Sequence, residues 1–296
     1  MNNTYAIIYN PTSHRFNQKI LDQIKVYMDL HSKTFELFPT EYEGHAQEIV
    51  LDLIPKSPKT IVAMGGDGTI NEVSQNLVGQ NIPLGIIPSG TANVLALEFG
   101  IPSDPVHAME IILSQNIQSI NIGEITYQHN EESKSRYFLL MAGIGTDAHI
   151  CKNINTSVKK FLGKGAYGIE TLKSFAKKSS CFDLHLNKKT FLSQQTIVSN
   201  SRFYGGQYIV TPDASPFNKD FQICTLNSDS SFDLLNLLLR IGIQKHQKMK
   251  QLELVSSSEV KIHTENISIQ VDGDYIGTSP CNISRKLSAL NVVLPT

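Results

Sequence analysis

The segment TIVAMGGDGTINEV, residues 60–73, constrains this chain more than any other. Thr60 to Met64 is a short apolar run rich in β-branched residues, the pattern of a buried strand. Gly65, Gly66 and Gly68 then surround a single carboxylate, Asp67. Thr69 and Glu72 stand at capping-box spacing and predict that a helix begins there. Glycines at such a junction permit positive φ and a close approach of backbone to ligand. The free N–H groups and the dipole of the helix favour an anion, typically a phosphate. A carboxylate beside a phosphate is repelled unless a divalent cation or a proton lies between them. The loop therefore points to nucleotide phosphates with Mg²⁺. A plain βα turn whose Asp helps cap the helix would use similar residues. The loop is neither Walker A nor G-x-G-x-x-G.

Strands alternating with helices surround this segment. Tyr5 to Tyr9 and Thr34 to Phe38 read as strands, as does Pro83 to Pro88. Helices are expected over about Phe16 to Leu30, Gly44 to Leu53, Ala92 to Phe99 and His107 to Leu113, the third closed by Gly100 and Pro102. This alternation implies a doubly wound, mostly parallel α/β sheet over residues 1–121. Ligands of such sheets bind beyond the carboxyl ends of the strands. Residues 10–13, 65–69 and 89–93 all fall on that edge.

After Ile120 the pattern becomes a succession of short strands, and 122–286 is expected to form a β-rich, largely antiparallel sandwich domain. Strands are predicted at 122–127, 137–142, 182–186, 190–198, 207–211, 221–226, 260–264 and 267–271. Helical interruptions are expected near 156–178 and 231–250. Ala289 to Leu294 reads as a last strand, so that 287–296 returns to the first domain.

Two domains suit 296 residues. A net charge of −1 carries no nucleic-acid signature. Four cysteines stand far apart with no C-x-x-C pair, which fits a reducing cytosol. Neither a signal peptide nor a membrane-spanning run is read in the chain.

With GGDGT at 65–69, Asn71-Glu72-Val73 and IPSGTAN at 87–93, the sequence resembles the diacylglycerol kinase catalytic domain family. GIGTDA at 143–148, Gly205-Gly206, Pro212-Asp213-Ala214 and VDGD at 271–274 extend the likeness to bacterial soluble lipid kinases related to sphingosine kinases. The resemblance implies ATP, Mg²⁺ and phosphorylation of a lipid hydroxyl, diacylglycerol-like or sphingoid-like, with the active site between the two domains. It implies ATP contacts at Asn10, Pro11, Thr12, Ser13, Thr40, Gly65, Gly66, Gly68, Thr69, Asn71 and Thr91. It makes Asp67 the catalytic, metal-bridged carboxylate and Asp274 the proton acceptor, where relatives usually carry Glu. A bare Asp-Gly hairpin turn is the other reading of 272–274. Val94 and Asn121 stand where many relatives have magnesium-associated Asp. Asn218-Lys219 replaces an Asp-Gly pair of a structural metal site.

Residues 152–189 hold nine lysines against Glu170 and Asp183, and FDLLNLLLRIGI at 232–243 is followed by Lys245, Lys248 and Lys250. Both stretches suit contact with an anionic membrane surface, although the leucines read chiefly as core. A cytoplasmic, peripherally membrane-associated lipid kinase is the expectation. An NAD kinase with a similar GGDGT loop and a catalytically weak lipid-sensing protein are the alternatives.

Overall fold

The computed structural model describes residues 3–146, 148, 181–186, 189–228 and 230–296. The chain divides into two compact units, Met1–Ile122 with Leu287–Thr296, and Gly123–Lys286.

In the first unit, strands β1 (Tyr5–Tyr9), β2 (Phe35–Pro39), β3 (Thr60–Gly65) and β4 (Leu84–Pro88) lie in the order β2-β1-β3-β4, all parallel. Every residue of β3 and β4 is buried, as expected of strands covered on both faces. The helices are α1 (Gln18–Leu30), α2 (His45–Leu53), α3 (Asp67–Leu77), α4 (Val94–Phe99) and α5 (Pro105–Ser114). Local chemistry sets their ends. Asn17 Oδ1 accepts from the N–H of Ile20 to start α1, and Asp104 accepts from Val106 and His107 to start α5. Gly100, at φ 68°, closes α4.

The start of α3 differs from the sequence expectation. Gly66 is its N-cap, with no side-chain capping bond, so the helix begins at Asp67 and Thr69 does not serve as the cap. The glycines of the turn are also not left-handed; positive φ falls at other positions. Space explains two of them instead. A Cβ on Gly65 would run into the side chain of Thr69, and one on Gly66 would lie 3.3 Å from the Cα of Gly90.

In the second unit, β13 (Phe221–Leu226) and β10 (Gln195–Ser199) are central. The antiparallel order runs β14 (Leu252–Ser257), β13, β10, β7 (Met141–Gly145), β16 (Ser268–Val271) and then the start of β17 (Asp274–Val293). Further along β17, residues 281–284 pair with β15 (Glu259–Ile262), which leads through β8 (Phe182–Leu186) to β9 (Lys189–Ser193). Residues 123–129 of β5 (Ile117–His129) form a hairpin with β6 (Glu132–Phe138). Phe203–Tyr204 (β11) and Tyr208–Ile209 (β12) make a small separate ladder. The core gathers Phe138, Phe182, Phe221, Ile223, Ile262 and Ile283. Burying side chains of this size contributes roughly 1.5–3 kcal/mol apiece.

Several predicted strands are redrawn. The run 137–142 is two strands, because the Asp272 carboxylate takes the N–H groups of Leu139, Leu140 and Met141 at 2.8–3.0 Å and interrupts the ladder there. The run 190–198 likewise breaks at Gln194 into β9 and β10. The expected helix at 231–250 is α6 (Ser231–Gly242) followed by a 3₁₀ turn at His246–Lys248. The helix expected near 156–178, Asp147 of the GIGTDA run and all but one of the lysines between 152 and 189 lie outside the described residues.

Candidate active site

The parallel register of the first unit fixes which loops come together. Tyr9 pairs with Pro39 and with Met64, and Gly65 pairs with Pro88, so the chain leaves all four strands along one edge. Asn10, Thr40 and Ser89 then donate their N–H groups to Met64, Tyr9 and Gly65 at 2.8–3.1 Å. Asn10 Oδ1 accepts from the N–H and the hydroxyl of Thr12, forming the tight turn that presents Pro11 and Thr12 to solvent. Ser13 and Ser89 join their hydroxyls at 2.8 Å. The first loop is thereby tied to the Ser89-Gly90-Thr91 loop, which leaves Thr91 exposed.

The glycine turn packs against this second loop glycine to glycine. Asn93, at φ 49°, clamps Gly90 through its amide, accepting from the Gly90 N–H at 2.9 Å and donating to its carbonyl at 3.1 Å. Thr69 is buried on Gly65, whereas Gly68 is exposed at the first turn of α3. Asn71 is withdrawn from the surface at 2% exposure, its Oδ1 held by Gln75 at 3.1 Å. Of the predicted nucleotide contacts, then, ten lie in the loops or the first turn beyond them, and Asn71 faces inward.

Asp67 stands where two helices begin. It occupies the first position of α3, and its Oδ1 accepts from the N–H of Leu95 at 3.1 Å, near the start of α4. Carboxylates are favoured at helix N-termini. Burial nevertheless raises its pKa above the ordinary carboxylate value, against the lowering effect of the N–H groups of Leu95, Val94, Asp67 itself and Asn93. Val94 is the buried first residue of α4, and Asn121 spends its Oδ1 on the N–H of Ser288 at 2.7 Å. Neither adds a carboxylate. Among the described residues no three His, Cys, Asp or Glu side chains converge on a point that could hold a metal ion. Mg²⁺ is ordinarily held by one or two carboxylates plus substrate phosphates and water. Asp67 fits that arrangement only with a nucleotide present to complete it.

In the second unit, Val271 pairs with Asp274, and Asp272 and Gly273 form the two-residue connection between β16 and β17 at φ 50° and 93°. This is the left-handed pair that a type I′ hairpin needs. The two carboxylates of VDGD take separate roles. Asp272 turns into the fold and accepts three backbone N–H groups. Asp274 begins β17 with its side chain about half exposed, and its Oδ2 lies 3.3 Å from Arg136 Nη2 on β6. Sequence reasoning missed Arg136, Asn93 and the capping bond to Leu95. Only Asn93, next to a glycine-rich loop, carried a readable signal.

A glycine turn at the carboxyl edge of a parallel sheet, followed by a β-rich unit, is the arrangement of a lipid kinase family that also matches this chain in sequence. The diacylglycerol kinase catalytic domain matches residues 4–125, and the YegS C-terminal NAD kinase beta sandwich-like domain matches 141–294. The chain belongs to this bacterial diacylglycerol kinase and YegS-like lipid kinase family. A Mycobacterium tuberculosis protein named diacylglycerol kinase is 28% identical over 255 residues, 84% of this chain and 81% of that protein. A Bacillus subtilis protein of the same name is 27% identical over 299 residues, covering 98% and 95%. A putative diacylglycerol kinase from Bacillus anthracis superposes with a TM-score of 0.80 at 20% identity over 99% of this chain and 95% of that one. Yeast NADH kinase complexed with NADH gives 0.55 at 12% identity, covering 100% and 84%. These two likenesses establish the shared fold.

Proposed function

We propose that the protein transfers the γ-phosphoryl group of ATP to a hydroxyl of a membrane-derived lipid, diacylglycerol first among the candidates. The observation that carries this reading is Asp67, a partly buried carboxylate inside a glycine turn at the start of two helices. Backbone N–H groups of residues 65–69 would hold the phosphates. Mg²⁺ on Asp67 would supply neutralisation of the γ-phosphate charge. Positioning and electrostatics do most of the work in phosphoryl transfer, and Asp274 would take the hydroxyl proton as the new P–O bond forms and the bond to ADP breaks. The names of the bacterial relatives support diacylglycerol. A sphingoid base is the second candidate, and NAD enters through the similar GGDGT loop and the fold shared with NADH kinase.

Val94 and Asn121 support a slower enzyme or a lipid sensor, since each puts a neutral side chain where many relatives have Asp. Labelled ATP offered with diacylglycerol, a sphingoid base, phosphatidylglycerol and NAD⁺ separates these readings. Label in a lipid supports the proposal. Label in NAD alone, or in no acceptor with the lipid still bound, refutes it.

The protein is further proposed to be cytoplasmic and to work at an anionic membrane surface. No helix among the described residues is long and apolar enough to cross a membrane. On α6, Leu234, Leu237 and Ile241 are buried, while Phe232, Leu239 and, just beyond the helix, Ile243 are more than 60% exposed. Both apolar stripes follow helical spacing. The outward one is followed by exposed Lys245, Lys248 and Lys250, which supports electrostatic adhesion.

A further inference from the structure

The family likeness implies a structural metal in the β unit, at the pair where this chain has Asn218-Lys219. The segment 211–222, which leads from β12 into the start of β13, does not fit one. Four of its oxygens are engaged within the protein: Asp213 Oδ2, Gln222 Oε1 and the carbonyls of Asp213 and Ser215. Asp213 Oδ2 accepts from Gln222 Nε2 at 2.9 Å, and the N–H of Asp213 donates to Gln222 Oε1 at 2.8 Å. Asn218 directs its amide N–H to the carbonyl of Asp213 at 2.8 Å, a donor where an ion would need an oxygen. The carbonyl of Ser215 accepts from the N–H of Asn218 at 3.1 Å and from Arg285 Nη2 at 2.8 Å.

Arg285 is the unusual member of this group. It lies on β17, is only 9% exposed, and its guanidinium carbon sits 4.7 Å from the ring centroid of Phe221. Its Nε and Nη1 are buried without a hydrogen-bond partner. Burial lowers its pKa to about 10, with Asp220 acting in the opposite direction, so it remains charged at neutral pH. A cation is therefore already seated in the segment, bonded to a main-chain carbonyl and lying over an aromatic face. A second, divalent cation beside it would meet like charge, and among the described residues Asp213 and Asp220 are not joined by a third His, Cys, Asp or Glu into a group that could hold it.

We propose that Arg285 is the resident cation of residues 211–222, its guanidinium taking the place of a divalent ion in tethering the loop at Ser215 and the ring of Phe221 to β17. The test uses the full chain in thermal unfolding, with EDTA and with excess Mg²⁺, in the absence of nucleotide. The Asp67→Asn variant serves as background, so that an effect of Mg²⁺ through the nucleotide loop is removed. The expected result is one Tm in both buffers, a Tm lower by about 5 °C or more for Arg285→Met, and an intermediate value for Arg285→Lys, which keeps the charge without the planar stack. Should the Met variant not fold, the Lys variant alone is compared with the parent. A Tm that falls in EDTA and recovers with Mg²⁺ in the Asp67→Asn background overturns the proposal. So does stoichiometric Mn²⁺ binding to that background in equilibrium dialysis, or an unchanged Tm on losing Arg285. None of these readouts needs turnover, so their failure leaves the kinase reading standing.

Discussion

The N–H of Leu95 donates to Oδ1 of Asp67 at 3.1 Å, so the carboxylate proposed to meet Mg²⁺ also ties the glycine turn to α4. Asn retains an oxygen that can accept this bond. Asp67→Asn is therefore expected to fold and to lose at least about 10²-fold in turnover, the scale of removing one preorganised electrostatic contact. A folded variant with near-parental rate at saturating Mg²⁺ contradicts the role assigned to Asp67.

The same residue sets a pH dependence. Its folded-state pKa is raised by burial, so the native state holds the proton to higher pH than the unfolded chain does. Stability then falls as pH rises from the unfolded value through the folded one, and the full cost of the buried charge is present above both. Asp67→Asn removes that cost. Denaturant unfolding without nucleotide should find the variant more stable than the parent at neutral pH, with the gap closing as pH falls through the raised pKa.

Asp274, proposed as the proton acceptor, and Asp272, bonded to three backbone N–H groups, are expected to separate chemistry from structure within one hairpin. Asp274→Asn should cost about 10²- to 10⁴-fold in rate with little change in ATP affinity, and Asp274→Glu should retain an intermediate rate. Its pair with Arg136 is exposed enough that stability should move by less than about 1 kcal/mol. Asp272→Ala instead strands three N–H groups and should lower stability by about 3 kcal/mol or more. Equal rates for Asp, Asn and Glu at 274, with folding confirmed by circular dichroism, would reduce that residue to a turn.

Gly90 offers a steric test of the paired loops. A Cβ there would lie 2.5 Å from the Cα of Gly66, a contact that only a shift of backbone can relieve. Gly90→Ala is expected to raise KM for ATP about tenfold or more by parting the loops, whereas Gly242→Ala, at the end of α6 where a Cβ meets nothing nearby, should leave it within about twofold. Steady-state kinetics in ATP at fixed lipid compares them.

The outward stripe of α6 gives a membrane test. Phe232→Ser with Leu239→Ser should weaken binding to anionic vesicles at all salt concentrations, while Gln at Lys245, Lys248 and Lys250 should chiefly flatten the salt dependence. Equal binding of the parent to neutral and anionic vesicles at low salt would contradict the electrostatic part.

The parallel sheet and its loops were legible because β1, β3 and β4 are continuous apolar runs that end in turn-forming residues. The way the loops lock together was not. Gly66 against Gly90, and Asp67 reaching Leu95, join residues far apart in sequence, and a local capping pattern at Thr69 pointed to the wrong start for α3. β14 and most of β17 escaped detection for another reason. From Ser279 to Arg285 burial alternates with the pleat, but the inward positions include Ser279 and Arg285, so hydrophobicity alone shows no strand. Polar residues on a buried face become intelligible only with their partners: Thr264 for the Ser279 hydroxyl, and Ser215 with Phe221 for Arg285. Asp274, by contrast, is singled out by motif likeness alone, and nothing local to it signalled Arg136.

The last stretch of β17 lies beside β4 in the first unit, with Val292 opposite Leu84 and with Leu290, Val292 and Val293 buried. A ribosome delivers β4 some two hundred residues before the strand that covers it. Throughout that interval the nascent first unit carries a bare apolar sheet edge, the kind of surface that invites pairing with another chain. Its maturation is therefore tied to synthesis of residues 287–293. A product released early, whether by a nonsense mutation or by stalling, leaves behind an adhesive fragment and no working half-enzyme.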